Sequence, residues 1–395
     1  MKHIFLGHRV LCICAAILNA AFSTGSTGAQ VATPSSQSGD QGAPLSDAKR
    51  DLAATQADAW FDNYQFRDGK TIERVRIHYA TLGNPHRNEH GDIDNAVLVL
   101  HWTGADGRVL LTPSYMKSLF APGRPLDACR YYLIYADSVG HGLSSKPSDG
   151  LRASFPHYGY RDMVDLQHRL VMQTLGIKHL HAILGMSMGG MNAWQWAEAY
   201  PDAMDGIMPV VSLPIPVSGR NLLWRRMVID DIRSDPEWQG GNYTSRPKGL
   251  LRGYTLLRMM IEGVPHFQAL VPDGAAADRF IEDARKEAVS IDPDDILYSL
   301  DSSRDYDPRP NLASIKTKVF ALNFSDDEFN PSQLHILDRL MPKVPNGHFV
   351  VQAGSETSYG HLTMAHPELW SLHVAEFMHE LGDASPHRSK EHLHR

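Results

Sequence analysis

The chain has 395 residues, 43% of them hydrophobic and 21% charged. That composition excludes a mostly disordered chain, and the length is enough to bury a large core without covalent staples. Lys and Arg number 38 against 45 Asp and Glu, a net charge of −7 with no basic block in the body, which argues against a nucleic-acid footprint.

In chain order, the first 29 residues read as an address. Lys2, His3, His8 and Arg9 make a weakly positive start, Val10 to Phe22 is an uncharged and mostly apolar run, and Ser23 to Ala29 is small and polar. This is the layout of a secretory signal peptide, which predicts a periplasmic or secreted protein. The apolar run is shorter than the ~20 residues that a membrane-spanning helix needs. Residues 30–56 are rich in Ser, Gly, Pro, Gln and Ala and are expected to form a flexible tether. Cys12 and Cys14 leave with the leader, so Cys129 remains alone. That excludes an intramolecular disulfide and a cysteine-based metal site.

The body is expected to be an α/β core in two parts, 57–212 and 304–381. Val75 to Leu82 carries β-branched and aromatic residues up to the turn Gly83-Asn84-Pro85. Ala96 to His101 and Tyr131 to Tyr135 are continuous apolar runs, as strands buried on both faces require. Arg161 to Leu175 is apolar at helical spacing and stops at Gly176, and a further strand is expected over 181–184. A helix over Met191–Tyr200 closes at Pro201. Strands at Ile207–Val211, Val319–Asn323 and Phe349–Gln352, and a helix from Pro367 to Leu381, complete the pattern. Strand and helix alternating at this length predict a mostly parallel sheet flanked by helices. Residues 213–303 break the rhythm with helical patterns at Leu222–Ile232, Leu250–Ile261 and Asp278–Ala288, and are expected to form a helical lid. Its apolar residues Leu222, Leu223, Trp224, Met259 and Met260 either face an apolar substrate or form the lid's own core. Residues 382–395, with His387, His392 and His394, read as a solvated tail.

Chemistry concentrates at three places. Gly185-Met186-Ser187-Met188-Gly189 matches G-x-S-x-G between a strand and a helix, the context that turns the letters into a nucleophile elbow presenting the Ser187 hydroxyl. A serine needs a base, and the base an orienting acid, which on such a fold follow in the order acid, then histidine. Ser325-Asp326-Asp327-Glu328 follows a strand. Asp327 is favoured by its spacing to Pro331, with Asp326 as the second choice and helix capping as the alternative role. His361, between the last strand and last helix, is the expected base, ahead of His366 and His348. A tetrahedral oxyanion needs two N–H donors, for which Met188 and Trp102 are the candidates.

These residues make the chain resemble the homoserine O-acetyltransferase branch of the α/β-hydrolase superfamily, over about Phe61 to Leu381. The marks are His-Trp-Thr-Gly at 101–104, Gly-Met-Ser-Met-Gly-Gly-Met at 185–191 and Asp-Pro-Glu-Trp-Gln-Gly-Gly-Asn-Tyr at 235–243. The resemblance implies acyl transfer through an acyl-serine, with Ser187, Asp327 and His361 as the triad, and is compatible with a lid-mediated homodimer. Two positions depart from it. The family places an Asp after the catalytic His to hold the substrate ammonium, where this chain has Leu362; and the family's Gly-Ser-Thr-Gly-Pro ending is replaced by Asp137-Ser138-Val139-Gly140-His141-Gly142-Leu143-Ser144-Ser145-Lys146-Pro147. An uncharged leucine does not offset an ammonium. Acetyl-CoA and homoserine are also cytosolic, which an exported enzyme would not meet. The expectation is therefore an exported serine hydrolase acting on an ester or related acyl bond, with no metal or organic cofactor and no membrane partner once the leader is removed. An O-acyltransferase and a non-catalytic binding protein on the same scaffold are the alternatives.

Overall fold

The computed structural model describes residues 53–382. The expected leader, most of the tether, Cys12, Cys14 and the tail histidines lie outside the described residues. The sheet has eight strands: β1 (Thr55–Gln65), β2 (Thr71–Leu82), β3 (Ala96–Leu100), β4 (Tyr132–Ala136), β5 (Leu180–Met186), β6 (Met204–Val210), β7 (Lys318–Phe324) and β8 (Gly347–Gln352). Their spatial order is β1-β2-β4-β3-β5-β6-β7-β8. β1 and β2 form an antiparallel hairpin, β2 runs antiparallel to β4, and every pair from β4 to β8 is parallel.

The apolar runs are continuous because both faces of the parallel strands are covered. On β3, Leu98 and Leu100 join one apolar cluster while Val97 and Val99 join the other. Helices α2 (Tyr160–Arg169) and α3 (Met188–Ala199) cover the first face. The short α1 (Pro113–Tyr115), its continuation through Phe120, and α10 (Ser371–Leu381) cover the other. Between β6 and β7 lie α4 (Gly219–Arg233), α5 (Gly249–Ile261), α6 (Val264–Leu270), α7 (Gly274–Ala288) and α8 (Pro293–Asp301), with no strand among them. This is the helical insertion expected over 213–303. The small α9 (Ile336–Leu340) precedes β8. No helix among the described residues is long and apolar enough to cross a membrane.

Some boundaries differ from expectation. β1 begins at Thr55, inside the range assigned to the tether, and buries Ala59, Phe61 and Tyr64. The helix after the serine begins at Met188 rather than Met191, because the glycines there are helical instead of forming a longer turn. The last helix is a single turn at Pro367–Leu369 followed by α10. The string at 235–243 is the lid's internal tie. Asp235 accepts from Glu237 N (2.9 Å) and Gly249 N (2.6 Å), Trp238 Nε1 donates to Asp294 (2.8 Å), and the Tyr243 hydroxyl donates to Asp292 (2.7 Å). It joins α4, α5 and α8 and so fixes the roof over the sheet's carboxyl edge.

Candidate active site

Ser187 stands at the turn from β5 into α3 with φ 53° and ψ −111°, a conformation that costs a non-glycine residue of order 1–3 kcal/mol. The surrounding chain holds it there. Its N–H donates to Val210 O on β6 (2.9 Å). The turn closes only because its flanks lack side chains: a Cβ on Gly185 would lie 2.1 Å from Gly189 O, and one on Gly189 would lie 2.4 Å from Leu100 O.

His361 is the second residue of the helical turn Gly360–Ala365 that follows β8. Its Nδ1 lies 2.8 Å from Asp327 Oδ2 and its Nε2 lies 2.9 Å from Ser187 Oγ. A carboxylate only accepts, so the Nδ1 proton points at Asp327 and the Nε2 lone pair meets the serine hydroxyl. The Asp327 side chain is 0% exposed. It also accepts from Phe329 N (2.8 Å), Asn330 N (3.3 Å) and Asn330 Nδ2 (2.8 Å), which satisfies the buried carboxylate. Asp326 has a different task. Its Oδ2 accepts from Ser358 Oγ (2.7 Å) and Gly360 N (3.1 Å), pinning the loop that carries His361. Neither acid caps a helix after Pro331. The Phe329 ring packs 4.7 Å from the His361 ring and 5.2 Å from Trp224 of the lid. His366 and His348 point elsewhere, to Glu368 and Glu380.

The oxyanion candidates sit at the same edge. Met188 is the first residue of α3, whose leading N–H groups have no intrahelical acceptor. Trp102 follows β3, and no backbone acceptor among the described residues takes its N–H. Its loop is held from behind. His101 Nε2 accepts from Ser138 N (3.0 Å), which leaves Nδ1 to donate to Trp102 O (2.9 Å). The Trp102 ring is buried and lines the cavity as well.

Two cavities meet at the serine. One, of about 230 Å³, runs under the lid and is lined by Ser187, His361, Trp102, Trp224, Arg225 and Leu362 among others. The second, of about 520 Å³, touches Ser187 and His361 from the far side of Phe329 and reaches Asn221 and Leu334. Three groups not foreseen from sequence shape the first cavity. His141 hydrogen-bonds Ser299 Oγ on α8 through Nε2 (2.7 Å) and donates from Nδ1 to Val139 O (3.2 Å). Burial, then the neighbouring His101, pushes its pKa down to about 3, so it stays neutral. Asp137 takes Gly107 N (2.7 Å) and Leu143 N (2.9 Å), and burial raises its pKa. Arg225 shares the buried stripe of α4 with Val228, Ile229 and Ile232. The signal for it was present: a charged residue at helical spacing on an otherwise apolar face. Among the described residues, no group of three His, Cys, Asp or Glu side chains is arranged to hold a metal ion.

Known proteins share this framework. A probable acyltransferase of Methanothermobacter thermautotrophicus is 29% identical over 288 residues, 71% of this chain and 86% of that protein. A homoserine O-acetyltransferase of Carboxydothermus hydrogenoformans is 34% identical over 207 residues, 49% of this chain and 53% of that protein. The chain thus spans about half the length of the homoserine O-acetyltransferases it matches. An acetylester hydrolase structure from Corynebacterium glutamicum superposes with a TM-score of 0.70 at 21% identity, covering 83% of this chain and 95% of that one. The family description alpha/beta hydrolase fold matches residues 110–351. By this match and by its sheet, the chain belongs to the α/β-hydrolase fold family and is homoserine O-acetyltransferase-like within it.

Proposed function

We propose that the protein is an exported serine hydrolase that cleaves a carboxylic ester, or a related acyl bond, through an acyl-serine. The observation that carries this reading is the unbroken hydrogen-bonded line Ser187–His361–Asp327, opening into a cavity of about 230 Å³. His361 Nε2 takes the proton as Ser187 Oγ attacks the carbonyl carbon, and the carbonyl oxygen becomes an oxyanion between the Met188 and Trp102 N–H groups. The intermediate collapses, the alcohol leaves with the proton from Nε2, and the acyl group stays on Oγ. Water, deprotonated by the same nitrogen, then releases the acid and restores Ser187. Asp327 holds the imidazole in the required tautomer and offsets the charge it gains.

Leu362 favours hydrolysis over transfer to an amino-acid alcohol. It lines the same cavity directly after His361 and brings no charge to balance an ammonium. The export part of the reading rests on the pattern of residues 1–29. The test uses the full chain expressed with its leader, N-terminal sequencing of the product, and p-nitrophenyl acetate turnover with and without homoserine. Expected are a product starting near Gln30 outside the cytoplasm, and steady turnover indifferent to homoserine that falls at least ~1,000-fold in Ser187→Ala. A burst that resumes only with homoserine and yields its O-acetyl ester would establish an acyltransferase instead. A cytoplasmic product retaining Met1 would overturn export.

A further inference from the structure

Acyl transfer to water leaves one part of the cavity unused: a buried cation with no counter-ion among the described residues. Arg225 is 3% exposed and lines the cavity that contains Ser187. Its Nε donates to Asn221 Oδ1 (2.9 Å) and one terminal nitrogen to Leu300 O (3.4 Å), while the guanidinium carbon lies 5.2 Å from the centre of the Trp224 ring. All three partners are neutral, and no carboxylate among the described residues pairs with it. The lid's other buried arginine shows the contrast: Arg258 is flanked by Glu262 (3.2 Å) and Glu287 (3.0 Å). Buried charges are ordinarily paired, because desolvation is otherwise uncompensated.

A second observation points the same way. Thr103 Oγ1, Tyr160 OH and Trp224 Nε1 are buried with no well-formed hydrogen bond among the described residues. Thr103 and Trp224 line the same cavity. The fully buried Tyr160 hydroxyl lies within reach of both Arg225 and Thr103, whose influence partly offsets the rise that burial imposes on its pKa. One cation, the Trp224 N–H and the Thr103 hydroxyl on the wall, with the Tyr160 hydroxyl behind Arg225 and Thr103, match a carboxylate, which accepts about four hydrogen bonds and carries a single charge. The carboxylates elsewhere on the wall are engaged: Asp106 with Arg108 (2.6 Å), Asp292 with Tyr243 (2.7 Å) and Asp295 with Ser148 (2.7 Å).

We propose that Arg225, with Thr103 and Trp224 on the wall and Tyr160 behind them, binds a carboxylate carried by the substrate, so that the preferred substrate is an ester bearing a free carboxylate on a short arm. The proposal rests on the acyl-serine reading above and narrows its substrate class. The cavity on the Arg225 side, at about 230 Å³, lies below the ~300–1,000 Å³ of pockets for drug-sized ligands, which keeps the part of the substrate between the ester and the carboxylate to a few carbons.

The test compares charged and neutral esters of matched size. Monomethyl succinate carries the carboxylate on its acyl part and acetoxyacetate on its alcohol part; dimethyl succinate and methyl acetoxyacetate are their neutral counterparts. The expected result is a kcat/KM at least ~10-fold higher for one charged ester than for its neutral counterpart, a ratio that falls to about 1 in Arg225→Gln. Circular dichroism checks that the variant folds. If it does not, Tyr160→Phe and Thr103→Val, which keep the cation, are expected to lower the ratio several-fold. Binding is read separately, as the rise in melting temperature that each charged ester gives Ser187→Ala and the double variant lacking Arg225. A protein that hydrolyses no ester, yet is stabilised by the carboxylate through Arg225, would sink the hydrolase reading and keep the anion site. Equal rates on charged and neutral esters, with no carboxylate-dependent stabilisation, would overturn the anion site and leave the hydrolase.

Discussion

Asp326 and Asp327 are adjacent carboxylates separated by what surrounds each oxygen. Every partner of Asp327 is a donor: His361 Nδ1 and Asn330 Nδ2 on Oδ2, Phe329 N and Asn330 N on Oδ1. An amide at 327 sets its NH2 against a donor in either orientation. Asp327→Asn is therefore expected to cost ~1,000- to 10,000-fold in kcat, through the wrong imidazole tautomer. Asp326 is asymmetric, with two donors on Oδ2 and no partner on Oδ1. An amide there turns its NH2 to the empty side, so Asp326→Asn is expected to change kcat less than ~3-fold. Turnover of p-nitrophenyl acetate by the two variants decides, and an equal loss in both would refute the division of labour. The residues of the line were legible because the elbow's letters, the order of elements and the position after each strand coincide. The choice between the acids rested on distance to Pro331, a rule that says nothing of donors. Arg225 was passed over although it stands at helical spacing with Val228, Ile229 and Ile232, because an arginine there can equally reach the surface and only its burial in the fold decides.

At the scale of elements, the lid is clasped to the body through one carboxylate. Asp295, in the first turn of α8, accepts from Ser148 N (2.9 Å) and Ser148 Oγ (2.7 Å) on the turn at Pro147–Asp149. Burial, aided by the nearby Asp292 charge, raises its pKa to about 7 against an ordinary 3.8. Between those values the folded protein binds more protons than the unfolded chain, so this group's contribution to stability falls as pH rises from about 4 to about 7. Below that window the clasp carries no charge penalty; above it the penalty is complete. Asp295→Asn keeps the acceptor for Ser148 N and removes the titration. Its melting temperature is expected to match wild type near pH 4 and to exceed it increasingly up to pH 8, by scanning calorimetry across the range; a constant offset would rule the clasp out as a titrating element. The helix that carries it was not read from sequence, although Asp292 before Pro293 is a start signal, because nine residues leave too short an apolar stripe. β1 escaped for another reason. Asn63, at φ 51°, breaks the alternation, so Phe61 and Tyr64 both face inward, three apart instead of two.

For the molecule as a whole, the question is whether lid and sheet melt as one body. Apolar packing says they are continuous, since Trp224, Val228, Leu250 and Tyr254 of the lid belong to the same cluster as Leu98, Ile134 and Ile183 of the sheet. That continuity explains why an α/β pattern with a helical interruption was enough to place the sheet: each run had to bury a face, and both lid and flanking helices offered one. The lid's outer layer has a different interior. Arg258 of α5 bridges Glu262 at its end and Glu287 of α7, and Glu262 also meets His266 of α6 (2.9 Å). Arg258→Met fills the same space and leaves the buried Glu262 and the part-buried Glu287 without the cation between them, each keeping one partner, His266 and Tyr254, so the loss is expected to be smaller than the ~3–5 kcal/mol of a fully broken buried pair. Burial already raises the Glu287 pKa, with Arg258 the main opposing influence, so the loss should grow from pH 5 to pH 8 as protonation ceases to relieve it. All these partners lie within the insertion, and the sheet's own pairs are untouched. Amide hydrogen exchange in Arg258→Met should accelerate across 249–288 while β3 to β7 keep their protection, and ester turnover should fall as the cavity loses its roof. Equal acceleration in the sheet would show that lid and core form one cooperative unit, and that the apolar cluster they share, not the ionic layer above it, sets the stability of both.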